Sequence, residues 1–198
     1  MRPLPPTTIH LCLDMQRMFA RDGPWPTPWM ERVLPNLVRL CERIAERTVF
    51  TRFIPPLRAT DMPGMWREYY RKWPNVTRQR LEPRYLELVP ELQRYAPPAA
   101  VFDKFVYSAF AGGRLATWLA ERGVTTLLIT GAETDVCVLA TVLAAVDLGY
   151  RVVLVTDAVC SSSDEGHDAL MQMYTRRFDV QIELASVDLG LDLLHTRA

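Results

Sequence analysis

The sequence predicts a three-layer α/β/α sandwich built on a central, mostly parallel sheet of six strands. Short apolar runs alternate with segments of helical periodicity from one end of the chain to the other. The runs are apolar at successive positions, which is typical of strands that helices cover on both faces. Strand and helix alternation of this kind indicates a parallel sheet. The predicted strands are residues 9–13, 48–51, 100–102, 126–130, 151–155 and 180–184.

Helical periodicity occupies the segments between these strands. Residues 33–47 place their apolar side chains three and four positions apart, which puts them on one helical face. Gly123 and Gly149 follow two further segments of this type and are suitable residues for ending a helix. The predicted helices are residues 33–47, 113–121, 136–148 and 167–177.

One segment, residues 54–85, interrupts the alternation. It contains five prolines and an excess of basic over acidic residues. A chain of 198 residues is expected to form a single domain, and a long connection inside a domain is usually a lid, a binding loop or an oligomer contact. Its basic residues could attract a carboxylated substrate or simply form a solvated face. Its aromatic residues could line a pocket or pack against a lid or interface: Trp66, Tyr69, Tyr70 and Trp73.

Composition excludes several classes of protein. Lys plus Arg and Asp plus Glu each number 23, so the formal net charge is zero, and a nucleic-acid coat or a polybasic membrane-surface protein is not expected. Residues 1–8 carry no apolar run typical of a secretory signal, and no apolar stretch reaches the length of a membrane span. We therefore expect a cytoplasmic protein with four reduced cysteines and no nucleic-acid or membrane partner.

Three reactive side chains follow strands of the predicted sheet. Asp14 ends the first strand, Lys104 follows the third, and Cys137 comes shortly after the fourth. Because ligands of open α/β sheets bind beyond the carboxyl ends of the strands, these groups are expected to share one edge. Thr134 or Asp135 could cap the helix that follows strand four. Cys137 would then lie in its first turn, where the helix dipole and Lys104 favour a thiolate.

At these positions the sequence resembles the isochorismatase-like cysteine hydrolases, a superfamily that includes isochorismatases, nicotinamidases and N-carbamoylsarcosine amidases. The matching blocks occur in the family's order between about residues 9 and 185. They are residues 13–16 (LDMQ) with Phe19, residues 103–104 (DK) with 107–110 (YSAF), residues 131–138 (GAETDVCV) continuing to Gly149, and residues 156–158 (TDA) with Ser161.

The resemblance implies a role for each reactive residue. Cys137 would be the nucleophile, Asp14 the general base and acid, and Lys104 their electrostatic partner. It also implies a cis peptide between Ala132 and Glu133, an oxyanion hole formed by the backbone N–H groups of Glu133 and Cys137, and association into a dimer or tetramer. The predicted reaction is hydrolysis of the C–N bond of a small amide or ureide through a thioester. Aromatic residues that flank the catalytic positions in sequence are candidate substrate contacts: Phe19, Trp25, Tyr107 and Phe110.

Neither a metal nor another cofactor is expected. Nicotinamidases of the superfamily hold a metal with an Asp-x-His motif after the second strand, whereas residues 50–56 (FTRFIPP) contain no histidine. Two alternatives remain open, namely an isochorismatase-type hydrolase of a vinyl ether and a non-catalytic binding protein on the same scaffold. Among the other thiols, Cys12 and Cys41 are predicted to lie in the core and Cys160 in a loop near the edge of the sheet.

Overall fold

The protein is described by a computed structural model over residues 1–195. Six strands form one parallel sheet in the order β3-β2-β1-β4-β5-β6. This result confirms the predicted fold class. The strand bounds are β1 (Ile9–Leu13), β2 (Thr48–Phe53), β3 (Ala100–Lys104), β4 (Thr126–Ala132), β5 (Arg151–Cys160) and β6 (Ile182–Ala185).

Helices connect the strands and cover both faces of the sheet. They are α1 (Met30–Ile44), α2 (Gly64–Lys72), α3 (Pro90–Gln93), α4 (Arg114–Glu121), α5 (Leu139–Asp147), α6 (Asp164–Arg177) and α7 (Val187–His195). Short 3₁₀ turns cover Arg17–Phe19, Ala45–Arg47, Ala59–Asp61, Pro74–Val76 and Pro83–Leu86. No helix in the described part of the chain is both long and apolar enough to cross a membrane.

Two apolar clusters lie on opposite faces of the sheet, because side chains alternate along each strand. Cys12 of β1 packs on the face covered by α1, α3 and α7. Its neighbours Leu11 and Leu13 pack on the other face, against α4, α5 and α6. The strands are therefore covered on both sides, which explains why they are apolar at successive positions.

The structure corrects three of the sequence predictions. The predicted helix at residues 136–148 begins instead as a π-helical turn, Thr134–Val138, and continues as α5. Strand β5 continues past the polar pair Thr156-Asp157, because Val159 and Cys160 pair again with β4 after an irregularity in the register. Cys160 is consequently a buried strand residue and not a loop residue.

The segment at residues 54–85 contains helix α2 between 3₁₀ turns, and α2 was not predicted. Its aromatic residues pack together and against the loop after β3. Trp66 lies 5.4 Å from Tyr69 and 4.8 Å from Tyr107 between ring centroids. Tyr70 is fully buried in the apolar cluster on the face of the sheet that α1, α3 and α7 cover. The segment thus forms an ordered aromatic layer beside the carboxyl ends of the strands.

Candidate active site

The site lies where the order of the strands reverses. From β1 the chain passes to β2 and β3 on one side and then crosses to β4, β5 and β6 on the other. Connections therefore diverge at the carboxyl ends of β1 and β4, which is the usual position of a ligand crevice in an open parallel sheet. Asp14 directly follows β1, and Lys104 is the last residue of β3.

Asp14 is held in a fixed orientation at the end of β1. It has a positive φ of 53°, which is uncommon for a residue other than glycine. Thr51 of β2 donates its hydroxyl to Oδ1 of Asp14 over 2.6 Å, and the Asp14 N–H lies 3.2 Å from the backbone oxygen of Thr51. With 1% exposure, the carboxylate is shielded from solvent. Neighbouring strand β2 thus positions it.

Lys104 reaches across β2 from the edge strand and joins the other two groups. Its Nζ lies 2.7 Å from Oδ2 of Asp14 and 3.2 Å from Sγ of Cys137. The same ammonium lies 3.1 Å from the Val106 carbonyl oxygen and 4.8 Å from the centroid of the Phe53 ring. The structure therefore brings together the three candidate catalytic residues Asp14, Lys104 and Cys137, and we call this candidate set the catalytic cluster.

Cys137 lies in the π-helical turn that follows β4. The Ala132–Glu133 peptide bond just before this turn is cis. Gly131 allows β4 to approach β1 closely, since a Cβ there would lie 2.1 Å from the Leu13 carbonyl oxygen. The close approach of the two strands brings the turn that carries Cys137 next to the end of β1, which Asp14 follows.

Neither Thr134 nor Asp135 caps the helix as predicted. The Thr134 hydroxyl instead lies 3.0 Å from Nδ1 of His167, and the Ser161 hydroxyl donates to Asp135 over 2.6 Å. The predicted cap is wrong because the Thr134 side chain contacts α6 and the Asp135 side chain contacts Ser161, the residue after β5. The two side chains tie the turn to α6 and to the end of β5.

The protonation of Cys137 also differs from the prediction of a thiolate. Burial raises the pKa of the Cys137 thiol, the negative charge of Asp14 raises it further, and Lys104 only partly opposes this. Burial alone would lower the pKa of Lys104, but its interactions with Asp14 and Cys137 raise it overall. Burial and the Asp14 charge therefore act against the thiolate that the helix dipole and Lys104 were expected to favour.

A cavity of about 620 Å³ opens above Cys137. This volume falls within the range of small-molecule sites. Phe19, Trp25 and Tyr107, which the sequence suggested as substrate contacts, line the cavity. We call its aromatic lining the aromatic wall, formed by Phe19, Trp25, Phe53, Tyr69, Trp73 and Tyr107.

Phe110 does not line this cavity. It is buried in the apolar cluster on the opposite face of the sheet, where its ring stacks on Tyr150 with centroids 5.8 Å apart. Its nearness to Lys104 in sequence was misleading, because the chain turns away from the site between Tyr107 and Phe110. The suggestion of Phe110 as a substrate contact is therefore wrong for this cavity.

Several lining residues were missed or left open by the sequence analysis. Tyr69 and Trp73 were predicted either to line a pocket or to pack against a lid or interface, and both belong to the aromatic wall. The side chains of Phe53, Glu133 and Ser162 were not identified. The sequence did contain a signal for Tyr69 and Trp73. Counted from Trp66, the aromatic residues of the segment at residues 54–85 follow three, four and seven positions later, as on one helical face.

No basic residue of the segment at residues 54–85 lines the cavity, so its basic excess does not provide a carboxylate contact there. Within residues 1–195 there is also no group of three or more His, Cys, Asp or Glu side chains placed to hold a metal ion. The end of β2 reads Arg52-Phe53-Ile54 and supplies no histidine to the cavity.

Comparison with known proteins agrees with this geometry. Residues 8–186 match the family model of the isochorismatase domain. A probable inactive nicotinamidase of Arabidopsis thaliana is 30% identical over 169 residues, 82% of this chain and 85% of that protein. N-carbamoylsarcosine amidase of an Arthrobacter species is 28% identical over 162 residues, 78% of this chain and 59% of the amidase.

With several other curated relatives the match is shorter and covers about half of their length, between 43% and 55%. Among solved structures, a cysteine hydrolase from Pseudomonas syringae pv. phaseolicola 1448A superposes with a TM-score of 0.81 at 20% identity. That superposition covers 99% of this chain and 96% of the other. The likeness extends over the whole sheet and the elements that carry the catalytic cluster. The chain belongs to the isochorismatase family.

Proposed function

We propose that the protein is a cysteine hydrolase that cleaves the C–N bond of a small amide or ureide through a thioester on Cys137. One observation carries the proposal. A single ammonium, that of Lys104, lies 2.7 Å from the Asp14 carboxylate and 3.2 Å from Sγ of Cys137, beneath a cavity that Cys137 lines. Nucleophile, base and electrostatic partner then meet at one point that a small carbonyl compound can reach.

Asp14 is suited to activate the thiol. Its Oδ1 already accepts the hydroxyl of Thr51, while Oδ2 is buried and lies 2.7 Å from the Lys104 ammonium. A carboxylate oxygen has two lone pairs, so Oδ2 can accept the proton of Cys137 while it remains in contact with Lys104. Lys104 stabilises the thiolate that forms, because its charge lies in direct contact with the sulfur and both side chains are buried.

The acylation step follows from these positions. Sγ of Cys137 forms a bond to the carbonyl carbon as its proton passes to Asp14. We propose that the backbone N–H groups of Glu133 and Cys137 stabilise the oxyanion, as the first turn of a helix can. Asp14 then gives its proton to the leaving nitrogen, the C–N bond breaks, and ammonia or an amine departs.

Deacylation uses the same base a second time. Asp14 takes a proton from water as the water oxygen attacks the thioester carbonyl, and the acid leaves as the Cys137 thiol is re-formed by that proton. Each turnover consumes one amide and one water and releases one acid and one amine. The mechanism routes no step through a metal.

The test compares Cys137→Ala with Cys41→Ala, which removes another buried thiol on helix α1, away from the cavity. Ammonia or amine release from a panel of primary amides and N-carbamoyl amino acids is measured. We expect turnover by the natural chain and by Cys41→Ala, and loss of at least about a thousandfold in Cys137→Ala. Persisting turnover in Cys137→Ala would refute the nucleophile.

Mass spectrometry of acid-quenched reactions separates the alternatives. An increase equal to the acyl group, located on Cys137, supports the amidase mechanism. Cleavage of a vinyl ether without such an adduct would identify an isochorismatase-type reaction instead. A protein that turns over neither class, and whose Cys137 reacts with iodoacetamide like an ordinary thiol, would be a binding protein.

A further inference from the structure

A carboxylate that the mechanism does not use faces the cavity. Glu133 is, within the described residues, the only charged side chain that lines it. Its Oε1 accepts the Thr27 hydroxyl over 3.2 Å and the Ser162 N–H over 3.1 Å. These two hydrogen bonds hold the carboxylate in place, and neither of them occupies Oε2. The charge is therefore fixed in position before any ligand arrives.

Aromatic rings line the same cavity as this carboxylate. Trp25 lies at the centre of the aromatic wall, with its ring centroid 6.0 Å from that of Tyr69, 6.2 Å from Trp73 and 6.4 Å from Phe53. The faces of such rings attract cations, tryptophan most strongly. An aromatic enclosure beside a carboxylate is the arrangement that binds ammonium and quaternary ammonium groups, because the ring quadrupoles and the formal charge act in the same direction.

The balance of charge around the cavity favours the same kind of ligand. Asp14 and Lys104 form an ion pair over 2.7 Å, and burial raises the pKa of the Cys137 thiol, which disfavours its charged form. Glu133 therefore leaves one uncompensated negative charge. Lys72 lies 5.5 Å from the centroid of the Trp73 ring, but it is solvent-exposed and does not line the cavity. An anionic ligand would meet the Glu133 charge without a cation to offset it.

We infer that the substrate of this site is a small amide that carries a cationic group, an ammonium, quaternary ammonium or pyridinium, bound between Glu133 and the aromatic wall. This inference rests on the proposed function for the identity of the bond that is cleaved. Glu133 lies four residues before Cys137 and lines the same cavity. A cation held at Glu133 therefore leaves the amide carbonyl within reach of Sγ. The cationic group is unchanged by hydrolysis and serves for recognition.

The test uses two ligands of nearly the same shape. Betaine amide carries a trimethylammonium group, and 3,3-dimethylbutanamide has a neutral carbon in place of its nitrogen. Their dissociation constants are measured by calorimetry on the full chain with Cys137→Ala, which prevents turnover. We expect betaine amide to bind at least about tenfold more tightly.

Glu133→Gln is then added, because glutamine keeps an oxygen that can accept from Thr27 and Ser162 while the charge is removed. We expect the preference for the cation to fall to within about threefold. Glu31→Gln, which removes an exposed carboxylate that does not line the cavity, is the matched control and should keep the full preference. Thermal unfolding of both variants checks that the fold is intact.

Equal affinity for the two ligands, binding of neither, or a cation preference that survives Glu133→Gln would overturn the inference. Glu133 would then serve only to hold the loop at Ser162. Ammonia release by the natural chain separates this outcome from failure of the proposed function. Hydrolysis of amides without any cation preference refutes the inference alone, whereas a cation preference in binding without hydrolysis of any amide refutes the proposed function.

Discussion

The catalytic cluster and the aromatic wall meet at one cavity but are built in different ways. Members of the cluster come from strand ends and from the turn after β4, and hydrogen bonds or ion pairs of 2.6 to 3.2 Å fix each of them. The wall comes largely from two connections, and its rings touch at centroid distances of 6.0 to 6.4 Å around Trp25.

This difference separates the residues proposed for catalysis from those proposed for recognition, because the two sets lie on different kinds of element. On the proposed function, the chemistry that needs fixed atoms is placed at strand ends and in the turn after β4, where the neighbouring strands hold the adjoining backbone. Recognition would then be placed on connections, whose sequence can change without disturbing the sheet. The contrast predicts that removing a single polar group has a large effect on activity in the catalytic cluster, whereas removing one behind the aromatic wall has little effect on stability.

The largest effect is expected from removing one charge of the cluster. Asp14→Asn should lower kcat/KM by about a thousandfold or more, because the base that takes the thiol proton is lost. The same change should make Cys137 easier to ionise, since the Asp14 charge is one of the causes that raise its pKa. The rate of alkylation by iodoacetamide against pH should therefore shift to lower pH while turnover disappears.

Lys104→Met removes the other charge of the pair, and its effect on the pKa of Cys137 should be opposite to that of Asp14→Asn. Turnover should again fall by a similar factor, but the alkylation profile should not move to lower pH, because the charge that lowers the pKa of Cys137 has been removed. Two variants that lose activity would thus differ in the direction of thiol reactivity. If Asp14→Asn kept its activity, or if its thiol became harder to alkylate, the assignment of Asp14 as base would be wrong.

A second and smaller effect tests how rigid the sheet side must be. Gly131→Ala should lower the free energy of unfolding by about 3 kcal/mol, because φ is +105° and the new Cβ would lie 2.1 Å from the Leu13 carbonyl oxygen. Gly149→Ala is the control. It has a similar positive φ of +82° but open space around it, so a loss of about 1 kcal/mol is expected.

Urea denaturation of both glycine variants measures this difference. Equal losses would mean that the left-handed backbone alone, and not the contact between β4 and β1, makes glycine necessary at residue 131. The contact between β4 and β1 would then tolerate an added methyl group better than the comparison with the aromatic wall suggests.

The difference between the catalytic cluster and the aromatic wall also explains which parts of the site could be predicted from the sequence. Asp14, Lys104 and Cys137 were identified because parallel strands bring their carboxyl ends to one edge, so position along the chain was enough to place them. Thr51 and the side chain of Glu133 were missed, because their roles depend on contacts between residues that are far apart in sequence. Thr51 acts on Asp14 across 37 positions, and Thr27 contacts Glu133 across 106.

Other differences have local causes. Helix α2 was hidden by the prolines that flank it, although the spacing of its aromatic residues is helical. Phe110 was misplaced because nearness in sequence to Lys104 was taken as nearness in space. The raised pKa of the Cys137 thiol depends chiefly on its burial in the folded chain, which its position in the sequence does not reveal.

The smallest effect is expected behind the aromatic wall, at Tyr70 of α2. Its hydroxyl is buried and, within the described chain, has no hydrogen-bond partner, while its ring packs on Trp66 and Tyr69. Tyr70→Phe keeps the ring and removes an unsatisfied polar group. The free energy of unfolding should stay the same or rise by up to about 1 kcal/mol.

Tyr174→Phe on α6, whose hydroxyl is also buried without a partner, provides the same change on the opposite face of the sheet. Urea denaturation should give similar values for both variants, because the physical cause is the same at the two positions. A loss of more than about 1 kcal/mol at Tyr70 alone would show that its hydroxyl does bond in solution, through a water or a ligand in the cavity. The wall would then depend on single polar atoms as the catalytic cluster does, and the contrast between the two regions would fail.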